Sequence, residues 1–338
     1  MKVNSALCAV FIAVSSLCQA QTWSLEYGNK IDQLGYTNRW NTSERFEGVP
    51  YGPMSFRVIN SKLWVLDSVS GRIFCLDENS KVLKNINMPS LKGFMLLEDF
   101  ALVGDDPSNP DAVWVANASD KMIRKVSASD GKVLAQFGGF GNQPGKVIQV
   151  NRLEADAGGR LYVGDVGRKK ISVFTSSGAF LREYPWQSNG FVVDRYANLH
   201  MIHYFDKAGY FYRVYSPKGQ LTSSIHLGFL NNINVKLQSV DKDGSLILSM
   251  IPSTGFKGRL ELIKISKFGD IIEKSDIIRP TTMNRYIHVD NNKLFVADAD
   301  FDAAPVAKFV VKPFEWSKNT AVKKDHPKVK EGVEKNDK

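Results

Sequence analysis

The 338-residue chain is 43% hydrophobic and 11% aromatic, too apolar for a disordered polymer and long enough to bury a sizeable core. Forty-four Lys and Arg against 35 Asp and Glu leave a formal charge of +9. Outside residues 1–20 there is no apolar run long enough for a transmembrane helix, so an integral membrane segment is not expected.

Residues 1–20, MKVNSALCAVFIAVSSLCQA, carry a basic residue at Lys2, an apolar stretch from Ala6 to Leu17 and a small exit residue at Ala20. That pattern is a secretory signal peptide and predicts a secreted or periplasmic protein beginning near Gln21. Cys8 and Cys18 leave with the leader, so the exported chain keeps Cys75 alone and can form no internal disulfide. Flanked by Phe74 and Leu76, this thiol reads as a small core residue.

From residue 50 to 311 one weak pattern recurs: a polar turn, a short apolar strand ending in a polar residue, another turn, and a second strand leading to a third. The copies open on Lys62, Ala112, Arg160, Asn198, Ser245 and Lys293, and their first apolar residues are Leu63, Val113, Leu161, Leu199, Leu246 and Leu294. An interval of roughly 40 to 50 residues suits one four-stranded antiparallel sheet per repeat, the signature of a propeller. We therefore predict an all-β, six-bladed propeller over residues 21–316, forming one domain. The leftover segment TWSLEY, from Thr22 to Tyr27, is predicted to supply the outer strand that closes the sixth blade. The tail 317–338 holds seven Lys and four acidic residues with almost no large apolar side chain, and is expected to be disordered.

The third copy is the most regular. Its Phe137, Gly138, Gly141, Pro144, Gly145, Asp156, Gly159, Leu161, Val163, Asp165, Ile171, Val173, Phe174 and Gly178 follow one motif: a Phe-Gly and Pro-Gly entry, an Asp and Gly turn, a strand ending Val-x-Asp, then an apolar strand and a Gly turn. This segment, residues 137–181, resembles the NHL repeat family. The first and sixth copies keep Val65 with Asp67 and Val296 with Asp298, whereas the second, fourth and fifth depart to Asn117, His203 and Met250. The resemblance implies the propeller fold, on which scaffolds, carbohydrate or peptide binders, RNA binders and a few lyases are all built. Dispersed basic residues and an exported location argue against nucleic acid.

Candidate chemistry is sparse. Of the six residues that end the marker strands, Asp67, Asn117, Asp165, His203, Met250 and Asp298, the carboxylates read as acceptors for backbone N–H groups in the turns that follow, and the functional alternative is that part of the ring, especially His203, lines one channel mouth. Asn151-Arg152 and Asn284-Arg285 each place an Arg nine positions before a marker, three blades apart, so the two guanidiniums would face each other across the channel and could share a small anion. The alternative places each Arg on a solvent loop or pairs it with a nearby acid such as Glu154. Arg57 and Arg195 lie at other offsets and are weaker candidates. His200 and His203 fall on opposite faces of a strand, which disfavours a local metal chelate, and no metal or cofactor is expected. Asp99, Asp105 and Asp106 near the segment DDPSNPD read as a solvated turn. Asn41 and Asn117 begin glycan-acceptor triplets. The aromatic group Tyr204, Phe205, Tyr210, Phe211, Tyr212 and Tyr215 is expected to pack alternately between blades, leaving some rings for a sugar or protein contact.

The sequence thus predicts a monomeric, non-enzymatic binding propeller that uses its loop faces or channel mouth for a protein, peptide or carbohydrate partner. The alternative is an extracytoplasmic hydrolase or lyase with its site at one end of the channel.

Overall fold

The computed structural model describes residues 21–37, 51–88, 96–206, 208–228, 233–252, 258–278, 280, 283–298 and 308–316. The leader, the Lys-rich tail and Asn41 lie outside these residues.

The chain is an all-β propeller of six four-stranded antiparallel sheets. Blade 1 comprises Ser55–Ile59, Lys62–Asp67, Arg72–Leu76 and Val82–Asn87; blade 2, Leu97–Val103, Ala112–Asn117, Met122–Ser127 and Val133–Gly138. Blade 3 comprises Val150–Ala155, Leu161–Asp165, Lys170–Phe174 and Phe180–Pro185; blade 4, Phe191–Val193, Leu199–Phe205, Gly209–Tyr215 and Leu221–Gly228. Blade 5 comprises Ile233–Val240, Leu246–Ile251, Arg259–Ile265 and Ile271–Ile278; blade 6, Ile287–Asp290, Lys293–Asp298 and Lys308–Pro313, completed by Trp23–Glu26. The first strands of successive blades touch one another all the way round, so they line the central channel.

Burial follows from this geometry. The second strand of a blade is covered on both faces by neighbouring sheets, and Leu161–Asp165 and Ala112–Asn117 are buried at every residue. Outermost strands such as Phe180–Pro185 and Val82–Asn87 cover only one face and are mostly half-buried or exposed. The apolar core is correspondingly divided into clusters between blades, anchored by Trp64, Trp114, Phe174 and Phe191. The aromatics of blade 4 alternate as predicted: Tyr210 and Tyr212 pack toward blade 5, and Tyr215 toward blade 3. Cys75 is buried in the core between blades 1 and 2, and burial raises its thiol to about 11. Hairpins in blades 1 and 6 turn on Asn60-Ser61 and Asn291-Asn292, all four at positive φ, the conformation of a two-residue turn that matches strand twist.

Ring closure uses the N-terminal strand. Trp23 to Glu26 pair antiparallel with Val311 to Lys308, completing blade 6 with the strand predicted from TWSLEY. The closing segment is also fastened to blade 1. Trp23 Nε1 donates to the Asp77 carbonyl at 2.7 Å, and Arg72 donates to the carbonyls of Lys30, Ile31 and Gln33. Arg72 is aimed by Asp67, whose other oxygen accepts the N–H groups of Gly35 and Ser70.

Two further strand-end residues do the same work. Asn117 Oδ1 accepts from Leu96 and Ser119, and Asp165 accepts from Ile148, Gln149 and Arg168. Each ties the incoming connection and the following turn to one strand end, as the turn reading predicts. Asp298 departs from that role: it is exposed and paired with Lys312 at 3.0 Å. Asn117 is 4% exposed, so its triplet offers no glycan acceptor in the folded chain. Among the described residues, no helix is long and apolar enough to cross a membrane.

Candidate ligand site in the channel

Innermost strands place their alternate side chains in the channel, and several of these are charged. Arg57 of blade 1 donates to Asp99 Oδ1 at 3.0 Å and to the carbonyls of Phe100 and Leu153. Arg285, just ahead of the first strand of blade 6, reaches across to blade 3. Its Nη1 donates to Glu154 Oε1 at 2.8 Å, and its Nη2 to Asp99 Oδ2 at 3.2 Å and the Leu153 carbonyl. Asp99 also accepts the Leu153 N–H at 2.8 Å. Asp99 is therefore a fully buried residue at the centre of the ring, not part of a solvated turn. Its own strand, Leu97–Val103, ends before the Pro-rich connection begins. Asp106 does occupy that connection, accepting the Ser108 N–H.

Arg152 and Arg285 come from opposite blades and meet on one carboxylate oxygen, Glu154 Oε1, at 3.3 and 2.8 Å. Their partners divide unevenly. Arg285 has three acceptors, whereas Arg152 has Glu154 and, at 3.4 Å, the Gln238 carbonyl. Arg152 is 8% exposed, and its buried Nε has no hydrogen-bond partner. Three guanidiniums, Arg57, Arg152 and Arg285, thus share two carboxylates, Asp99 and Glu154, which leaves the cluster one positive charge in excess.

The electrostatics follow. Burial alone would raise the Asp99 carboxyl, but Arg57, Arg285 and the Leu153 N–H hold it down to about 2. Arg285, Arg152 and Arg57 likewise outweigh burial at Glu154 and lower it. Burial and the neighbouring Arg285 bring Arg152 down to about 9, still charged at neutral pH. His288 of blade 6 is held well below the usual histidine range by burial and by the three guanidiniums, so its ring is neutral. Its Nδ1 accepts the Val58 N–H at 3.2 Å, which puts the ring proton on Nε2.

A cavity of about 550 Å³ opens onto this cluster at the end of the channel where the first strands of blades 4, 5 and 6 finish. Arg152, Glu154, Arg285 and His288 reach it from the channel, and Arg195, Tyr196 and Lys242 line it from the turns. Arg152 and Gln238 also line a small recess of about 90 Å³ together with Asn151 and Asn284, so they lie between the two spaces. Asn284 Nδ2 donates to Glu98, and Asn151 Oδ1 is buried without a partner. A larger groove of about 1050 Å³ at the seam of blades 6 and 1 contains only Glu78 and Lys293 as charged groups.

The wall of the 550 Å³ cavity contains a hydrogen-bonded chain that sequence reasoning missed. Asp194, in the turn after the first strand of blade 4, accepts from Tyr196 N and Asn198 N on Oδ1, and from Asn198 Nδ2 on Oδ2. His200 Nε2 meets the same Oδ2 at 3.1 Å, and His200 Nδ1 meets the Tyr212 hydroxyl at 2.5 Å. The available signal was the Asp that precedes several marker strands, at Asp156, Asp194, Asp241 and Asp290, combined with the unusual His200 and Tyr212 of the fourth copy.

His203 lies elsewhere. It is 7% exposed, stacks on Phe205, and lines neither channel space. Burial and Arg213 lower it to about 4, and its Nε2 is buried without a partner. The unfolded chain therefore takes up a proton near pH 6.5 that the folded chain refuses until about pH 4. Stability is full above the unfolded value and is lost as pH falls through this window, by about 3 kcal/mol at 1.36 kcal/mol per unit. His288 acts in the same direction. Urea unfolding at pH 7 and pH 4.5 is expected to show this loss, with a smaller loss in His203→Gln; an equal loss in both proteins would remove His203 as its source.

Among the described residues, no three His, Cys, Asp or Glu side chains cluster as a metal site. Neither a family model nor a curated protein matches the sequence. Solved structures share the fold. A Bacteroides fragilis protein aligns with 87% of this chain and 95% of its own at 10% identity and a TM-score of 0.50. Virginiamycin B lyase of Staphylococcus aureus aligns with 78% of this chain and 95% of its own at 12% identity and a TM-score of 0.47. A luciferin-regenerating enzyme aligns with 78% and 91% at 14% identity and a TM-score of 0.47. The Bacteroides fragilis alignment supports the fold alone.

Proposed function

We propose that the chain is an exported, NHL-type propeller that binds a small organic anion at one mouth of its channel. The observation that carries this reading is Arg152: a buried guanidinium with an unpartnered Nε, in a cluster with excess positive charge, opening on a cavity of about 550 Å³. That volume suits a ligand of metabolite size, and a carboxylate or phosphate would complement the excess positive charge of the guanidiniums that line it. Tyr196, 65% exposed at the rim with Arg195 over its ring, offers an aromatic face to the rest of the ligand. A peptide terminus and an acidic sugar are the partner classes that fit. The leader supports export, and the Asp156 to Gly159 turn with Asp165 supports the NHL assignment.

The test is isothermal calorimetry of residues 21–338 with acetate, benzoate, succinate, citrate and inorganic phosphate, each beside a neutral amide analogue where one exists. At least one anion is expected to bind saturably, and Arg152→Gln to weaken it about 10- to 100-fold, the worth of a charge-assisted bond of roughly 1.5 to 3 kcal/mol. Equal affinity in the variant, or silence across the panel, would refute the site.

A second reading, a hydrolase or lyase at the same channel end, draws on the Asp194–His200–Tyr212 chain in the wall of the cavity.

A further inference from the structure

An Asp follows the innermost strand in blades 3, 4 and 5, and in blades 3 and 4 its carboxylate accepts backbone N–H groups of the turn. In blade 3, Asp156 accepts from Gly159's turn and is completed by Arg160 and the Tyr162 hydroxyl. In blade 5, Asp241 is completed by Lys264 at 2.6 Å. In blade 3 the partners go on only to main-chain carbonyls, Arg160 to Pro217 and Tyr162 to Ala197, and not to a further side chain. Blade 4 continues: Asp194 is completed by His200, and His200 by a second side chain, Tyr212, on the next strand. The turn itself does not need this extension, and its members line the cavity.

Proton positions in the chain follow from its acceptors. Asp194 accepts on both oxygens, and its carboxyl lies below the usual range because the bonds from Asn198 and His200 outweigh burial. His200 Nε2 must then be the N–H that donates to it, which leaves Nδ1 as a bare acceptor for the Tyr212 O–H. Carboxylate, imidazole and hydroxyl stand in the order that activates a nucleophile through general-base assistance. Burial keeps the phenol protonated at rest, so the oxygen becomes reactive only as its proton moves to His200.

We propose that Tyr212 is a nucleophilic phenol of this cavity, activated through His200 and Asp194 and directed at an acyl-type electrophile carried by a small anion. This deepens the anion-binding reading and rests on it for the substrate class. On an ester, the Tyr212 Oη–carbon bond would form as the bond to the alcohol oxygen breaks. The phenolic proton would pass to His200 Nδ1 and then to the departing alkoxide, and water would later cleave the aryl ester and restore the phenol. Tyr212 is the reacting group; His200 carries the proton, and Asp194 orients His200 and stabilises its imidazolium.

The experiment uses two probes, 4-(fluorosulfonyl)benzoate and neutral benzenesulfonyl fluoride, with peptide mass spectrometry as the readout. Attack forms the Oη–sulfur bond, breaks sulfur–fluorine, and sends the proton to His200 with fluoride as leaving group. Tyr212 is expected to be labelled ahead of the exposed Tyr196 and to be unlabelled in Tyr212→Phe, which keeps the ring. His200→Gln retains a hydrogen-bond acceptor but cannot take the proton, so labelling should slow about 100-fold; Asp194→Asn should slow it about 10-fold. Unchanged labelling in His200→Gln, or labelling of Tyr196 with Tyr212 untouched, would overturn the proposal and leave the chain as a strand-to-strand fastener. Labelling of Tyr212 by both probes at equal rates would uphold the phenol and count instead against the anion site.

Discussion

Replacing Asp99 with Ala is expected to destabilise the fold by about 3 to 5 kcal/mol, the range for breaking a buried ion pair from one side. The substitution removes the shared partner of two guanidiniums, Arg57 and Arg285, and orphans the Leu153 N–H. Arg57 and Arg285 are themselves buried, so both cations would be left desolvated with one partner fewer. Chemical denaturation followed by tryptophan emission measures the loss. Combining Asp99→Leu with Arg57→Met should recover much of it, because an apolar pair imposes no unpaired charge. A loss below about 1 kcal/mol would mean the cluster behaves like a solvated surface pair.

Trp23→Ala is expected to cost about 3 to 5 kcal/mol, as for other large-to-small changes at fully buried aromatic positions. The indole packs 5.7 Å from Phe295 and donates to the Asp77 carbonyl, so one side chain joins the outer strand of blade 6 to the edge of blade 1. The change should also show locally: amide exchange in Lys308–Pro313, which pairs with the Trp23 strand, should accelerate before exchange in blade 3 does. Trp23→Phe separates packing from the hydrogen bond and should retain most of the stability. Unaltered exchange and stability in Trp23→Ala would mean that blade 6 holds together without its N-terminal strand.

Particular residues show where the sequence was readable. Periodic apolar strands and Gly turns are local, so six blades and the closing role of Trp23 to Glu26 followed from spacing and strand count. Asp67, Asn117 and Asp165 were equally legible, since each bonds to a turn within three residues as well as to the incoming chain. Asp99 was not. Its partners lie at Arg57 and Arg285, in other blades, and alternation along Leu97–Val103 cannot say which face looks into a channel. The echo of Asn151-Arg152 and Asn284-Arg285 did single out two channel residues, and the alternative reading named the acid, Glu154, on which both meet. His203 was misplaced for a similar reason: the end of a second strand lies away from the axis, and only the first strand faces it. The Asp194–His200–Tyr212 chain joins one turn to two strands, and its only mark in the sequence is the Asp that recurs ahead of the marker strands beside an unusual His and Tyr.

The antiparallel pairing of Trp23 with Val311 also sets an order of events. Synthesis makes this strand long before its partner, so it waits, unpaired, while the strands of blades 1 to 5 are made. Long-range pairings of this kind are slow to form and leave strand edges exposed in the meantime. The ring is therefore a structure that cannot be finished piecemeal, and a chain halted before Lys308 would present two open sheet edges to whatever it meets.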